Sequence, residues 1–271
     1  MAYNYRAALI GCSRMGAFID NEVVAIKHII PPYSHAAAYA ACDRTDLVAC
    51  SDLRPEVMAE AGRRYGISPE KQYLDYREMI DVERPDIVSI ATQPEGRAEI
   101  IIHVAEHGAR AIYAEKAMAA SMAEADAIFE ACERQGVVFN LGTQRRWHPG
   151  LHMMREVING GELGALRSVI IQATPLFNGA SHYFDNVLFL NRDLSACWVQ
   201  MQLQDGDWTL KDNRLTEDPA AYGGIGFENE AVVYAIPSPR DVEFEARCAD
   251  GIIYATQQQK YSMYCREQPD N

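Results

Sequence analysis

The chain has 271 residues, which is enough for two domains, and its 48% hydrophobic content supports a packed core. The formal net charge of -13 argues against sequence-independent binding to nucleic acid or to an anionic membrane, since both are negatively charged. No stretch approaches the ~20 consecutive apolar residues that span a bilayer, and the polar residues 1–6 do not resemble a secretory signal. We therefore expect a cytoplasmic protein.

The cysteines are seven in number and scattered along the chain, and no two of them form a Cys-x-x-Cys pair. This spacing predicts neither a disulfide framework nor a metal site. Because reduced cysteines behave as small hydrophobic residues, we expect them to be buried in the core. They are Cys12, Cys42, Cys50, Cys132, Cys197, Cys248 and Cys265.

The first half of the chain alternates strand-like and helix-like segments, an order typical of a parallel sheet covered by helices on both faces. Strands are predicted at 7–11, 47–51, 86–91, 111–114 and 137–141, with a further short strand beside a helix within 73–80. Helices are predicted from near Arg14, over 35–42 and 55–65, from Pro94 to about His107, and over 121–134. The irregular stretch 21–33 reads as an insertion or an irregular crossing.

The order of elements changes after Gly142. Two helices, at 148–158 and 178–190, are followed by a strand-rich region, with predicted strands at 166–173, 198–204, 231–236, 242–248 and 252–257. Helices gathered before antiparallel strands are typical of an α+β domain. We therefore expect an α/β domain over 1–142 and a second, α+β domain over 143–271.

A turn bounded by Gly11 and Gly16 joins the first strand to the first helix. At such a turn, backbone N–H groups and the positive end of a helix face an anion, and glycine lets a pyrophosphate come close. Ser13 stands where the dinucleotide-binding pattern has its middle glycine, so a merely tight turn explains this segment equally well. If the turn binds a dinucleotide, the residues in contact are Gly11, Ser13, Arg14, Met15 and Gly16.

A carboxylate, Asp52, follows the second predicted strand. There it can accept hydrogen bonds from the adenosine ribose hydroxyls and would repel a 2′-phosphate, which favours NAD. Arg54 would attract such a phosphate, which keeps NADP as the alternative. The separation from Gly16 exceeds the ~20 residues of the usual pattern, and the insertion 21–33 accounts for the excess. A second interpretation makes Asp52 a helix N-cap.

Three further motifs follow in chain order: Thr92-Gln93-Pro94 after the fourth strand, Glu115-Lys116 after the fifth, and Gly-Ala-Ser-His-Tyr-Phe-Asp at 179–185. Their order and spacing resemble the Gfo/Idh/MocA family of sugar and inositol dehydrogenases over nearly the whole chain. The resemblance implies an N-terminal Rossmann doubly wound parallel sheet, a C-terminal α+β domain with a mostly antiparallel sheet, and NAD as cofactor. It adds four residues to the cofactor contacts, namely Thr92, Gln93, Glu115 and Lys116.

The resemblance also implies a lysine and a histidine at the substrate. Lys116 matches the lysine of the family's Glu-Lys-Pro motif, with Ala117 in place of the proline, and its ammonium can stabilise a developing alkoxide. An ordinary surface lysine is the alternative. His182 matches the family's general base for the hydroxyl proton. Asn178 stands where an aspartate is common, so it can only orient the substrate, and Asp185 is expected to orient the substrate or to stabilise the helix.

Two further parts of the chain can be compared with the family pattern. Arg97 stands where the family has a histidine and is expected to have a structural or cofactor role. Residues 143–149 resemble the family's interdomain segment, in which Gln144 would contact the nicotinamide end and Arg145 or Arg146 a substrate hydroxyl or carboxylate. Structural ion pairs are the alternative for both arginines.

These features predict an NAD(P)-dependent dehydrogenase or reductase that transfers a hydride between nicotinamide and a secondary alcohol or ketone of a sugar, polyol or related small molecule. Two alternatives use the same fold: an NAD-dependent glycosidase and a non-catalytic dinucleotide-binding regulator. Lys116 and His182 argue against the regulator, which needs no proton acceptor. The chain is shorter than the family's usual length, and we expect its C-terminal sheet, with a strand such as 231–236, to form a homo-oligomer contact.

Overall fold

The computed structural model describes residues 4–26, 29, 31–211, 214–215, 217–237, 242–256 and 261–265. The chain divides into two compact units, Met1–Gly142 and Thr143–Asn271. Within the described residues, no helix combines the length and the apolar character that crossing a membrane requires.

The first unit contains a six-stranded parallel sheet with the strand order β3-β2-β1-β4-β5-β6. The order reverses between β1 and β4, the point at which open α/β sheets bind ligands beyond the carboxyl ends of their strands. The predicted Rossmann architecture is therefore confirmed. The strands are β1 (Tyr5–Ile10), β2 (Thr45–Ser51), β3 (Gln72–Tyr73), β4 (Ile87–Ile90), β5 (Ala111–Ala114) and β6 (Val138–Leu141).

The last helix of the first unit begins and ends at capping residues. The Ser121 hydroxyl accepts a hydrogen bond from the Glu124 N–H, and Gly136 ends the same helix with a φ of 67°. The helix predicted from near Arg14 is instead a π-helical turn, Arg14–Phe18, followed by one short helix. The helices are α1 (Asp20–Val23), α2 (His35–Ala41), α3 (Pro55–Tyr65), α4 (Tyr76–Glu83), α5 (Arg97–Glu106) and α6 (Met122–Gln135).

Apolar residues of the sheet and helices form the core of the first unit. Ile10, Val88 and Ile112 lie on the central strands and are buried. Ile101 of α5 and Ile128 of α6 pack against them with no exposed surface. Because central strands of a parallel sheet are covered on both faces, they read as continuous apolar runs, and this is why the sequence revealed them.

The second unit contains a seven-stranded sheet with the order β15-β14-β13-β7-β12-β11-β8, in which only β7 and β12 pair in parallel. This confirms the mostly antiparallel sheet. Two short strands, β9 (Leu210–Lys211) and β10 (Arg214–Leu215), pair separately. The seven strands are β7 (Leu166–Gln172), β8 (Ala196–Leu203), β11 (Ala221–Phe227), β12 (Val232–Ile236), β13 (Val242–Cys248), β14 (Gly251–Thr256) and β15 (Tyr261–Cys265).

Strand β11 was not predicted, because its glycines hide it. A Cβ on Gly226 would lie 2.0 Å from the Trp198 Nε1 atom, so the glycine leaves room for this indole across the sheet. Glycine in a strand often marks such a close approach. The strand β15 was also missed, and Gln257, the predicted end of the preceding strand, lies outside the described residues.

The helices α7 (Pro149–Gly160) and α8 (Ser181–Leu190) complete the second unit. Met154 and Leu190 on these helices are fully buried and belong to the same core cluster as Val169 and Phe244 of the sheet. A π-helical turn, Leu176–Ala180, leads into α8. One face of the sheet therefore carries the helices and the core.

The cysteines are only partly as expected. Four are buried, but Cys42, Cys197 and Cys265 are exposed, so the expectation of burial is wrong for these three. A hydrogen bond with Cys50, together with burial, raises the pKa of the Cys12 thiol far above its ordinary value. This thiol therefore stays protonated and behaves as a core residue.

Candidate functional site

The turn after β1 is held against the end of β4. Gly11 has a φ of 89°, and a Cβ at this position would lie 2.8 Å from the Ala91 carbonyl oxygen. A Cβ on Gly16 would lie 2.0 Å from the Gly11 carbonyl oxygen. Neither position accepts a side chain without displacing backbone, so both glycines keep the turn narrow. We call the turn from Gly11 to Gly16 the cradle, and the sequence predicts that it binds a pyrophosphate.

Asp52 lies beside this turn. Its Oδ2 atom accepts a hydrogen bond of 2.8 Å from the Cys12 N–H, and its Oδ1 atom lies 3.4 Å from the Arg54 Nε atom. The N-cap of α3 is Arg54, so the structure does not support the interpretation of Asp52 as that cap. The Oδ1 atom also accepts a hydrogen bond of 3.0 Å from the Arg54 N–H, whereas Oδ2 can accept a second hydrogen bond, from a ribose hydroxyl.

Thr92 and Gln93 follow β4 at the same edge of the sheet. The Thr92 hydroxyl oxygen is buried and has no hydrogen-bond partner among the described residues. Such an atom is costly to leave unsatisfied. The Gln93 side chain is exposed. A ligand with hydroxyl or phosphate oxygens above Gly11 would supply the missing partner to Thr92.

Arg97 is the largest fully buried side chain of the chain's described part, with 1% of its surface exposed. Its two Nη atoms donate to three backbone carbonyls, those of Thr92, Glu115 and Ala117. Burial lowers the pKa of this guanidinium to about 10, which still leaves it charged at neutral pH. Of the two roles expected for Arg97, the structure supports the structural one: Arg97 ties the segment after β4 to the segment after β5.

Glu115 is held by a histidine that the sequence did not single out. The His35 Nε2 atom lies 3.1 Å from the Glu115 Oε1 atom, and both residues are buried. A Cβ on Gly142 would lie 3.2 Å from the same carboxylate oxygen. The His35 ring also packs on Tyr113, with 4.8 Å between the ring centroids. The only signal for His35 is a histidine at the start of an alanine-rich helix, too weak to indicate such a role.

Lys116 follows Glu115, which contacts both His35 and Arg97. Its side chain is partly buried, and the Lys116–Ala117 peptide bond is cis. The preceding residue is fixed through its carboxylate by His35 and through its carbonyl by Arg97. The backbone that carries the lysine is therefore anchored on both sides, which favours a defined position for its ammonium.

Within the first unit, the predicted residues thus come together. Gly11, Asp52, Thr92 and Glu115 follow β1, β2, β4 and β5, which are neighbours in the parallel sheet. The Asp52 carboxylate accepts from the Cys12 N–H, and the Arg97 side chain links the carbonyls of Thr92 and Glu115. The glycine cradle and the unsatisfied Thr92 hydroxyl fit a dinucleotide at this edge.

In the second unit, His182 lies in the first turn of α8 and is 6% exposed. Asn178 belongs to the preceding π-helical turn, and its side chain lies outside the described part of the structure. The predicted role of Asn178 therefore stays a prediction.

Asp185 forms an ion pair with Arg146, with 3.1 Å between the Oδ2 and Nε atoms. Burial raises the pKa of the Asp185 carboxyl above its ordinary value, although the charge of Arg146 opposes the shift. Arg146 also donates to Asp193 at 2.7 Å. Both predicted substrate ligands are therefore members of an ion-pair network, the alternative that the sequence left open for the arginine.

Arg145 and Gln144 lie in the same short helical turn, Gln144–Trp147, and differ in exposure. Arg145 lies 3.2 Å from the Glu243 Oε1 atom, which makes it an exposed ion pair. Gln144 is partly buried. A contact of Gln144 with nicotinamide stays a prediction.

Comparison with known proteins identifies the sequence family. Residues 6–143 match the Gfo/Idh/MocA model, which describes an oxidoreductase family with an NAD-binding Rossmann fold. A D-apiose dehydrogenase of Paraburkholderia graminis is 30% identical over 193 residues, which cover 70% of this chain and 46% of that protein. A levoglucosan dehydrogenase of Pseudarthrobacter phenanthrenivorans is 32% identical over 118 residues, 44% of this chain and 30% of that protein. The chain thus spans less than half the length of these relatives.

Solved structures show the same architecture. A levoglucosan dehydrogenase with NADH and levoglucosan matches 98% of this chain and 77% of that chain, with a TM-score of 0.74 and 22% identity. The WlbA dehydrogenase from Bordetella pertussis, in complex with NADH and UDP-GlcNAcA, matches 99% of this chain and 79% of that chain, with a TM-score of 0.74 and 18% identity. At these identities the similarity establishes the fold.

Proposed function

Because the chain belongs to the Gfo/Idh/MocA oxidoreductase family, with its NAD-binding Rossmann fold, we propose that it is an NAD-dependent dehydrogenase or reductase. Its substrate would be a secondary alcohol or ketone of a sugar, a polyol or a related small molecule. The observation that carries this proposal is the row of groups at the carboxyl ends of β1, β2, β4 and β5. A regulator would need the cradle but not an anchored lysine.

The first unit would hold NAD through the cradle between Gly11 and Gly16, with Ser13, Arg14 and Met15 around the pyrophosphate. NAD, when bound, accepts or returns a hydride at its nicotinamide ring. Asp52 would accept the ribose hydroxyls, and its negative charge disfavours a 2′-phosphate. Arg54 is paired with Asp52, which reduces its attraction for such a phosphate. These contacts support NAD over NADP.

Lys116 would hold the reacting oxygen of the substrate. Its ammonium stabilises negative charge as an alkoxide develops, and a fixed donor is more effective than one that must reorganise. The anchoring of Glu115 by His35 and Arg97 supports this role, because it fixes the backbone on which Lys116 stands.

His182 would accept the hydroxyl proton while the hydride leaves the same carbon, and would return the proton in the reverse direction. A histidine suits this task near neutral pH because its ordinary pKa lies close to that pH. Asp185 would support the first turn of α8 through its ion pair with Arg146 rather than take a proton itself. Asn178 would orient the substrate.

The test is a substrate screen with matched variants. Wild-type protein is incubated with NAD+ and a panel that includes D-apiose, levoglucosan and myo-inositol, and NADH is followed by absorbance. We expect turnover with at least one sugar or polyol, and loss of turnover with retained NAD+ binding in His182→Ala. The control is His152→Ala, an exposed histidine of α7. Unchanged turnover in His182→Ala would refute the assignment. Cleavage of a glycoside without net NADH would indicate the glycosidase instead.

We also propose that the protein is a homo-oligomer through the face of the second sheet that carries no helices. Trp198, Tyr234 and Tyr264 lie on this face, and each is at least 46% exposed. Exposed apolar groups on one sheet face are typical of subunit contacts. Light scattering should give a mass above that of one chain, and Tyr234→Glu should lower it. A monomer at all concentrations would contradict this proposal.

A further inference from the structure

Two histidines lie one helical turn apart at the C-terminal end of α5. The rings of His103 and His107 stack, with 3.7 Å between their centroids and 21° between their planes. Asp81 of α4 lies beside them, and one ligand atom from each of the three residues falls within 4.8 Å of the other two. Residues four apart share one face of a helix. The third group comes from the neighbouring helix, so the cluster joins two elements.

A bound ion lies in the plane of each imidazole that holds it, so the stacked rings would have to turn apart for both to bind one ion. The His107 Nδ1 atom lies 2.7 Å from the His103 carbonyl oxygen, which makes Nδ1 the protonated nitrogen and leaves the lone pair on Nε2. Metal-binding histidines typically donate their second nitrogen in this way. Tyr76 packs edge-on against His103, with 5.5 Å between the centroids. The His103 Nε2 atom is buried and has no hydrogen-bond partner within the described ranges.

The surrounding charges leave the cluster accessible to a cation. Arg77 is the nearby positive group, and its guanidinium is paired with Glu99. Glu106 is paired with Arg134 at 2.6 Å, so it does not compete for the histidines. Asp81 and His107 are exposed, which gives an ion a path of entry.

We propose that Asp81, His103 and His107 form a site for a divalent transition metal ion, with zinc as the favoured occupant. Two imidazoles and one carboxylate are ligands that Zn²⁺ takes, with water in the fourth position, whereas Mg²⁺ and Ca²⁺ prefer oxygen ligands. The ion would tie α4 to α5 at the amino-terminal edge of the parallel sheet. Gly11 and Lys116 lie at the opposite edge, so the site serves stability and takes no part in the reaction.

The test uses the full chain without an affinity tag, stripped with a chelator and titrated with Zn²⁺ in competition with a chromophoric indicator. We expect one strong site. His107→Gln should weaken binding at least tenfold, and the double variant His103→Gln/His107→Gln at least a hundredfold, since ligands dominate the affinity of such sites. His152→Gln, which alters an exposed histidine on α7, is the matched control and should bind zinc as the wild type does.

Zinc should also stabilise the folded chain. At a free zinc concentration a hundred times the dissociation constant, the folding equilibrium constant rises about a hundredfold, and the double variant should lose this gain. Titration with Co²⁺ separates the proposed site from the exposed thiols, because thiolate ligands give an intense near-ultraviolet charge-transfer band and imidazoles do not. The expected spectrum lacks that band.

A measurement on the wild type keeps the proposal testable if a variant fails to fold. Diethyl pyrocarbonate modifies accessible imidazoles, and mass spectrometry of peptides reports each histidine. Zinc should protect His103 and His107 and leave His152 unprotected. Three results would each overturn the proposal: no zinc binding by wild type, undiminished binding by the double variant, or equal modification of His107 with and without zinc.

Discussion

Replacement of Arg97 by methionine removes the charge and the hydrogen bonds of a fully buried side chain while keeping much of its length. In the wild type, the guanidinium donates to the carbonyls of Thr92, Glu115 and Ala117. Methionine cannot donate, so one buried carbonyl, that of Glu115, and two part-buried ones, those of Thr92 and Ala117, lose this partner at once. The segment that carries Lys116 then keeps the contact of Glu115 with His35 but loses the hydrogen bonds from Arg97.

The magnitude follows from those three carbonyls. A buried acceptor left without a donor costs about 1–3 kcal/mol, and because two of the three are part-buried we take the lower limit for each, about 3 kcal/mol in all. Against a typical total stability of about 5–15 kcal/mol, the first unit should still fold. For a domain of this size each kcal/mol corresponds to about 2–4 °C, so the melting temperature should fall by about 6–12 °C. If the Lys116 ammonium moves by about 1 Å, kcat should fall about 100-fold.

Calorimetry and steady-state kinetics measure the two effects. Arg97→Met should lower the melting temperature and kcat and weaken NAD+ binding less than Gly16→Ala does, because it disturbs Thr92 and Glu115 but leaves the cradle between Gly11 and Gly16 in place. Arg134→Met is the control, since Arg134 forms an exposed ion pair with Glu106 that contributes about 0–1 kcal/mol. The reasoning is wrong if Arg97→Met melts within about 2 °C of wild type, a shift that corresponds to about 1 kcal/mol or less.

Three further predictions concern separate parts of the chain. Gly16→Ala places a Cβ 2.0 Å from the Gly11 carbonyl oxygen and should weaken NAD+ binding at least tenfold, as measured by calorimetry; unchanged affinity would show that the cradle is not the site. Burial opposes ionisation of the Glu83 carboxyl, but hydrogen bonds from Lys71 and Tyr73 lower its pKa overall. The contribution of Glu83 to stability is therefore present above the ordinary pKa of a glutamate and is lost as the pH falls through the pKa of the folded state. Denaturant unfolding should show Glu83→Gln destabilised at neutral pH and less dependent on pH in the acid range, and equal slopes would contradict this. Arg146→Gln should raise the pKa of Asp185 further, because the opposing charge is lost, and carboxyl NMR titration tests the direction.

Much of the first unit was predictable because its signals are local. Buried parallel strands read as apolar runs, and glycines or prolines mark the breaks between them. Strand β11 escaped prediction because its glycines are required by the indole of Trp198 on another strand, a contact between residues far apart in sequence. The π-helical turn at Arg14–Phe18 was read as an ordinary helix for a related reason, since composition does not distinguish the two.

The candidate site likewise contains features that the sequence predicted and features that it did not. Gly11 and Asp52 were predicted because each follows a predicted strand, and parallel strands end at one edge, whereas Lys116 was predicted from the resemblance to the family's Glu-Lys-Pro motif. The anchoring of the lysine by Arg97 and His35 was not foreseen, since these residues come from two helices that only the fold brings to Glu115. Arg146 was predicted at the substrate, yet its neighbours Asp185 and Asp193 make it part of an ion-pair network.

Hydride transfer itself is the most direct test of the central claim. Sugars and polyols deuterated at their carbinol carbons are incubated with NAD+ and the protein, and mass spectrometry measures deuterium in the NADH formed. We predict deuterated NADH with wild type for at least one compound, and none with His182→Ala or Lys116→Met, both of which should still bind NAD+. The absence of deuterium transfer by wild type across the panel, or transfer by His182→Ala at the wild-type rate, would contradict the proposed function.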